Sequence, residues 1–389
     1  MKRHQFIVAA GILLASMQQA GAQIAVSGFD GKQPHLGAKP HDVTADGIAV
    51  IDLGATPPRV LGKTDVPFSM IGPPTSVAVS HNGSFAIATN SQKLDPKDAS
   101  RFVSDDTVSL IGLAEPSHPV VLQTAHAGAG ATGVAITPDD RMALVANVDA
   151  GTVSVFAVAN GKLTLRDTVQ LNAKDGPCDV GISPDGKIAL VTQRHGTHIW
   201  RLAIRGGKVT NTGITYAAGI NPYGVVFSPD SRFAYNTNLM GRIDAKRPAH
   251  GPRIGTITAI DLTKNSVAAT VEVGPTPENI ALSPDGRYGA VTVVNGSSEW
   301  PTDGNYHDFG FLKIYRLDGT RMTEVAQART GQWGQGAVWR KDGKVIVLQT
   351  AISKVLEVYR FDGHTLTRDP SATLQFHRRP GAIMSAISR

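Results

Sequence analysis

The stretches VAVSHNGSFAIATN (Val77–Asn90), VAITPDDRMALVAN (Val134–Asn147), VGISPDGKIALVTQ (Val180–Gln193), VVFSPDSRFAYNTN (Val225–Asn238), IALSPDGRYGAVTV (Ile280–Val293) and AVWRKDGKVIVLQT (Ala337–Thr350) are copies of one phrase. Each reads as an apolar strand, a short turn and a second apolar strand, the pattern of an antiparallel hairpin. Self-similarity at a period of roughly 50 residues signals a propeller or a solenoid. Every repeat supplies strands and almost no helical pattern, so the propeller is the expected form. A third strand follows each hairpin: TVSLIGL from Thr107, TVSVFAV from Thr152, THIWRLA from Thr197, TITAIDL from Thr256, FLKIYRL from Phe311 and KVLEVYR from Lys354. A seventh copy, GIAVIDL from Gly47, precedes the first hairpin, and PGAIMSAI from Pro380 matches a first strand with nothing after it. The sequence therefore predicts an all-β, seven-bladed β-propeller whose closing blade joins the N-terminal strands IAVS and GIAVIDL to the C-terminal strand. Closure removes the unpaired edges that an open ring would leave.

Composition fits such a chain, with 41 Gly and 23 Pro suited to turns and only 18% charged residues. Lys2 and Arg3, the apolar run Phe6–Ala15 and the small residues Ala20-Gly21-Ala22 read as a secretory signal peptide over residues 1–22. Residues 23–389 are then expected to form one propeller domain, periplasmic or secreted, monomeric and without a membrane span. Removing Lys2 and Arg3 from a net charge of +6 leaves +4. That excess is weak and lacks a basic stripe with interleaved aromatics, which argues against nucleic acid. The single cysteine, Cys178, excludes an intrachain disulfide. A reactive thiol there would need a neighbouring base such as His195; a buried, inert thiol is the plainer expectation. His35, His41 and Asp42 match no tight metal-ligand spacing, so neither metal nor cofactor is expected.

The SPDG turns and the Asn-ended second strands (Asn90, Asn147, Asn238) resemble the YVTN-type seven-bladed propellers and, more distantly, the propeller lactonases. Ser-Pro-Asp-Gly suits a tight turn, and the asparagines are expected to satisfy backbone groups of the next turn. The lactonase resemblance implies His, Arg and Glu side chains at the channel rim, where first strands begin. Here the rim positions read Thr75-Ser76, Thr132-Gly133, Cys178-Asp179, Tyr223-Gly224, Glu278-Asn279, Gln335-Gly336 and Pro380-Gly381. Glu278 falls one residue off the expected Glu, and an expected Arg-His pair reads Tyr223-Gly224.

Function is expected where the repeats depart from each other. Four second-to-third-strand loops are long: Gly28–Asp46, Ser91–Asp106, Leu239–Gly255 and Gly296–Gly310. They fall on one face as two adjacent pairs, which predicts two raised walls flanking a cleft. One wall carries Arg242, Lys246, Arg247, His250 and Arg253; its neighbour carries Glu299, Asp303 and Asp308 with Trp300, Tyr306 and His307. Such charges either pair across the blade boundary or form a recognition wall for a sugar-like or aromatic ligand. The candidate ligand-binding residues are Tyr223, Glu278, Asn279, Trp333 and Gln335, with Arg242 and Trp300 from the walls. Glu278 and Asn279 offer polar groups, Trp333 and Tyr223 stacking surface. Three functions follow: a propeller that binds a small molecule or docks a periplasmic partner protein at its walled face, a lactonase-like hydrolase with a rebuilt site, or a cell-envelope interaction protein without a pocket. The rim's lack of obvious catalytic groups favours the first, with no catalytic residue assigned.

Overall fold

The computed structural model describes residues 23–33, 35, 39–40, 43–244 and 251–386. The leader over residues 1–22, His41, Asp42, Lys246, Arg247 and His250 lie outside the described residues. Seven antiparallel sheets follow one another around a ring. Blade one contains Val77–Val79, Phe85–Asp95, Asp98–Gly112 and Val120–His126, and blades two to six repeat that order. Blade seven takes Ile24–Asp30, Gly47–Asp52 and Arg59–Thr64 from the N-terminal side and its innermost strand, Arg379–Ser385, from the other end. The seam is antiparallel, with Val26 opposite Met384 and Ala25 opposite Ser385. No helix among the described residues is long and apolar enough to cross a membrane.

Strand alternation buries one set of side chains on each blade face, and each interface between neighbouring blades holds its own apolar cluster. Leu144 and Val153 of blade two meet Val180 and Val191 of blade three. Leu312 and Ile314 of blade five meet Trp339 and Ile346 of blade six, where the Trp339 indole donates to the Ala281 carbonyl at 3.0 Å. Ala25 and Ile51 of blade seven meet Val338 and Val347 of blade six. Emptying one such site, as in Trp339→Ala, typically costs about 3–5 kcal/mol.

On the lower face the repeat chemistry is uniform. Ser183, Ser228 and Ser283 each donate to the turn aspartate two residues on, at 2.6 Å, and each accepts from a backbone N–H at the start of the next strand. The fourth turn residue has positive φ in Gly186 (70°) and Gly286 (69°). The strand-end asparagines act differently from the sequence expectation. Asn147 donates to the Thr152 and Ser154 hydroxyls, and Asn238 to those of Thr256 and Thr258, so these amides tie the second strand to side chains of the third. The strand ladders already satisfy the backbone there, which leaves the amides free for the hydroxyls.

All four long connections follow second strands and so share the upper face. Residues 91–106 are not a loop: Gln92 pairs with Ser104 and Leu94 with Phe102, extending two strands of blade one as a projecting ribbon. The two walls also meet on one side. His35, from the long connection of blade seven, stacks on Trp300 of blade five with ring centroids 4.1 Å apart and planes at 30°. The walls thus join across blade six, and the short connections 148–151 and 194–197 leave the rim low over blades two and three.

Candidate functional site

In blades two to seven the rim residues sit inside first strands, whereas Thr75-Ser76 of blade one lies just ahead of Val77–Val79. The ladder to the second strand slips between Ala131 and Val134, Pro177 and Val180, Pro222 and Val225, Pro277 and Asn279, and Gly334 and Ala337. Each slip is a β-bulge, which frees residues from the ladder and re-aims their side chains. Convergence on the axis demands small residues between large ones. A Cβ on Gly133 would lie 2.7 Å from the Asp179 Cα, and one on Gly224 would lie 2.9 Å from the Asn279 Oδ1.

Asp179 links inner strands of three blades at the rim. Its carboxylate accepts from the Thr75 hydroxyl at 2.6 Å across the axis, from its neighbour Val180 N at 2.8 Å and from Val225 N of blade four at 2.9 Å. Burial pushes this carboxyl up to about 6, against the pull of those three donors. About 50 Å³ of free space remains in the channel among Ala78, Ile136, Phe227 and Met384. Thr75 and Asp179 thus tie blades one and three together just beneath the mouth.

Tyr223, Glu278, Asn279, Trp333 and Gln335 come together at this mouth, all buried. Trp333 adopts φ 53°, its N–H donates to Ser297 Oγ at 3.0 Å, and its ring packs with Val294 and Ala351. It is 2% exposed, so its face belongs to the core and only its indole N–H serves the site. With the Gln335 amide oriented to suit both neighbours, its oxygen accepts from Trp333 Nε1 at 2.6 Å and its nitrogen donates to Gly381 O at 3.2 Å. Tyr223 likewise packs its ring against Val148 and Cys178, which removes it as a stacking platform. Burial, then the nearby Glu278, pushes its hydroxyl well above the usual tyrosine range, keeping it a neutral donor.

Glu278 is the least satisfied group at the mouth. Its Oε2 is buried without a partner. Burial pushes its carboxyl up to about 8, while the Trp333 indole N–H and then the Arg194 charge pull the other way. Arg194 also bears on Tyr223 and Cys178. It is half-buried on the low side of the rim, held by its own N–H to the Gly176 carbonyl at 2.7 Å. Sequence reasoning missed it. The available signal was the departure Gln193-Arg194 in blade three, where blades one, two and four end their second strands in Asn.

The remaining candidates lie outside this cluster. Arg242 forms an ion pair with Asp244, two residues on, at 3.0 Å. Pairing within its own loop replaces pairing across the blade boundary. Trp300 is 51% exposed on the wall, over His35. Cys178 is buried with Sγ 3.3 Å from Thr192 Oγ1, and burial pushes its thiol up to about 12, which makes it inert. His195 is exposed and forms no bond to it among the described residues. No group of three His, Cys, Asp or Glu able to hold a metal occurs among the described residues. The mouth thus combines a desolvated carboxyl poised near neutrality, a neutral phenol and an arginine, a set able to move a proton and stabilise developing negative charge.

Comparison with known proteins bears on the family and the fold. A profile of the family described as "Lactonase, 7-bladed beta-propeller" matches residues 39–372. A 6-phosphogluconolactonase candidate from Bacteroides uniformis superposes with a TM-score of 0.72 at 18% identity, covering 93% of this chain and 98% of that one. The periplasmic gluconolactonase PpgL of Pseudomonas aeruginosa gives 0.64 at 14% identity, covering 93% and 99%. Antigen Lp49 of Leptospira interrogans is 31% identical over 109 residues, so the matched stretch spans 28% of this chain and 23% of that protein.

Proposed function

The chain belongs to the family of seven-bladed β-propeller lactonases, and we propose on that footing that it hydrolyses a cyclic ester of the sugar-acid type at the channel mouth. The observation that carries this reading is Glu278, a buried carboxyl with one free oxygen and a nearby arginine. Ionised Glu278 takes a proton from a water that attacks the lactone carbonyl. The resulting oxyanion faces Arg194, with the Tyr223 hydroxyl as a second donor. Collapse of the tetrahedral intermediate breaks the ring C–O bond, and Glu278 returns its proton to the departing ring oxygen. A carboxyl that titrates at about 8 is about a tenth ionised at neutral pH, so turnover should rise with pH towards that value.

Substrate would arrive over blades two and three, where the rim is low and Arg194 stands. The leader read in residues 1–22 and the periplasmic gluconolactonase among the similar structures support action outside the cytoplasm; in this reading the protein acts as a single propeller domain and a monomer. The narrower YVTN-type likeness rests on the turns alone. The test is a pH-stat assay of the protein spanning residues 23–389 against a panel of sugar-acid lactones. Acceleration over spontaneous opening, lost in Glu278→Gln, is expected; equal rates with the variant would defeat the assignment.

A second reading is favoured by the enclosure of Glu278, 8% exposed, and by the absence of His from the described rim positions. In it the same mouth holds a small polar ligand, or receives a partner protein, without turnover. Saturable lactone or sugar-acid binding by calorimetry, with no ring opening, would select it.

A further inference from the structure

A sizeable open groove lies on the opposite face from the mouth. It is a groove of about 800 Å³ between the lower edges of blades two and three. Pro138, Met142 and Phe156 form its wall on the blade-two side, and Ile204 with the Gly206-Gly207 turn faces them from blade three. Three cations, Arg141, Arg166 and Lys208, project into it, and all three are exposed. None of them forms an ion pair among the described residues. The two carboxylates in the lining are engaged by their own turns, and Asp139 also feels the Arg141 charge. Asp139 accepts from Thr137 Oγ1 at 2.6 Å and Arg141 N at 3.2 Å, and Asp185 accepts from Ser183 Oγ at 2.6 Å and Lys187 N at 3.1 Å.

Arg166 reaches the groove through a departure from the repeat. The outer ladder of most blades contains a bulge that leaves one fourth-strand residue unpaired. That residue is Leu61 in blade seven, Leu122 in blade one, Ala268 in blade four and Val325 in blade five. Leu61 and Val325 pack into the apolar clusters shared with the next blade. In blade two the bulge residue is Arg166, between the pairs Val155–Asp167 and Phe156–Leu165. A bulge aims its extra side chain, and here it aims a charge into an open groove where the other four blades carry a hydrocarbon, half-buried in Leu61 and Val325 and exposed in Leu122 and Ala268. Three exposed cations beside an apolar wall, of which only Arg141 has a carboxylate, Asp139, within electrostatic reach, form a recognition site with a definite complement in a cleft of ligand-sized volume.

We propose that this groove is a second binding site for a small organic anion carrying at least two acidic groups on an apolar body. Arg141, Arg166 and Lys208 pair with the acidic groups while Met142 and Phe156 cover the body. The site is independent of the mouth, because no lining residue is shared with the Glu278 cluster. Bis-anilinonaphthalene disulfonate, two sulfonates on an aromatic frame, serves as the probe. Its fluorescence should rise saturably with the wild-type protein and weaken with added salt. The double variant Arg141→Glu/Arg166→Glu should weaken its affinity at least about tenfold, as reversal of paired charges does. Glu278→Gln should leave it unchanged. If charge reversal disturbs the melt, Arg141→Gln/Arg166→Gln reads the same loss more gently. Equal binding by the charge variants, loss of binding in Glu278→Gln, or no saturation by the wild type would each overturn the proposal.

Discussion

The lower and upper faces of this ring are built from the same strands and follow opposite rules. Below, Ser183, Ser228 and Ser283 repeat one turn with one set of bonds, blade after blade. Above, the rim positions diverge: Thr75 and Thr132 match, but Cys178, Tyr223, Glu278, Gln335 and Pro380 occupy the equivalent places in the other blades. Uniform turns keep the blades interchangeable, while bulges at the top free individual side chains from the ladder. The same scaffold can therefore be held constant where it folds and varied where it acts. The groove beneath blades two and three is an instructive exception, a variable feature on the uniform side.

Breaking the scaffold should have the largest effect. Deletion of residues 380–389 removes most of the inner strand of blade seven, and loss of the cooperative thermal transition by circular dichroism is expected. The mouth comes next. Glu278→Gln should lower lactone turnover by about 10²–10⁴, the usual loss when a general base is removed. Arg194→Met should cost a further large but smaller factor, about 10²–10³ in kcat, with the melting temperature nearly unchanged.

The comparison sharpens when stability is followed against pH. Glu278 binds its proton more tightly in the folded protein than in the unfolded chain, since burial lifts its carboxyl from 4.5 to about 8. Stability should therefore fall as pH rises from the ordinary carboxylate range to about 8, and level off beyond it. Asp179 adds a fall of the same sign that ends at about 6. Glu278→Gln removes the first component, so its melting temperature should exceed that of the wild type by a margin that grows across this window. A gain in stability that accompanies loss of turnover would mark the mouth as strained for function, unlike the turns.

The smallest effects belong to the turns and the wall. Gly286→Ala combines φ 69° with a Cβ only 2.5 Å from Pro229 Cδ, whereas Gly186→Ala at φ 70° has 3.5 Å to Pro138 Cδ. The second should cost about 1 kcal/mol and the first visibly more, read from denaturant midpoints. Trp300→Ala, on an exposed side chain, should shift stability by no more than about 0.5 kcal/mol.

The ring itself was legible because its signals are local. Hairpin turns and strand alternation are written within fourteen-residue phrases such as Val180–Gln193, and the unpaired pieces at the two ends implied their own pairing. The gathering of Tyr223, Glu278, Trp333 and Gln335 followed from equivalent positions in the repeat. What escaped depends on distances that repetition does not encode. Arg194 lies in a short turn of ordinary composition, and only the ring's curvature brings it near Glu278. The stacking of His35 on Trp300 joins residues 265 positions apart across an intervening blade. The ribbon at 91–106 contains Pro96 and several charges, which read as loop, yet Asp95 opposite Asp98 closes a tight turn that lets the strands continue. Burial of Trp333 and Tyr223 was likewise set by neighbours distant in sequence.

The seam of blade seven has a temporal consequence. In a chain made from its N-terminus onward, Ile24–Asp30 emerges some 350 residues before its inner partner, Arg379–Ser385. During that interval an apolar strand that will end fully covered has one bare side, the situation in which strands recruit foreign partners. Biogenesis of this wheel therefore calls for a caretaker, or for speed, at the strand left waiting.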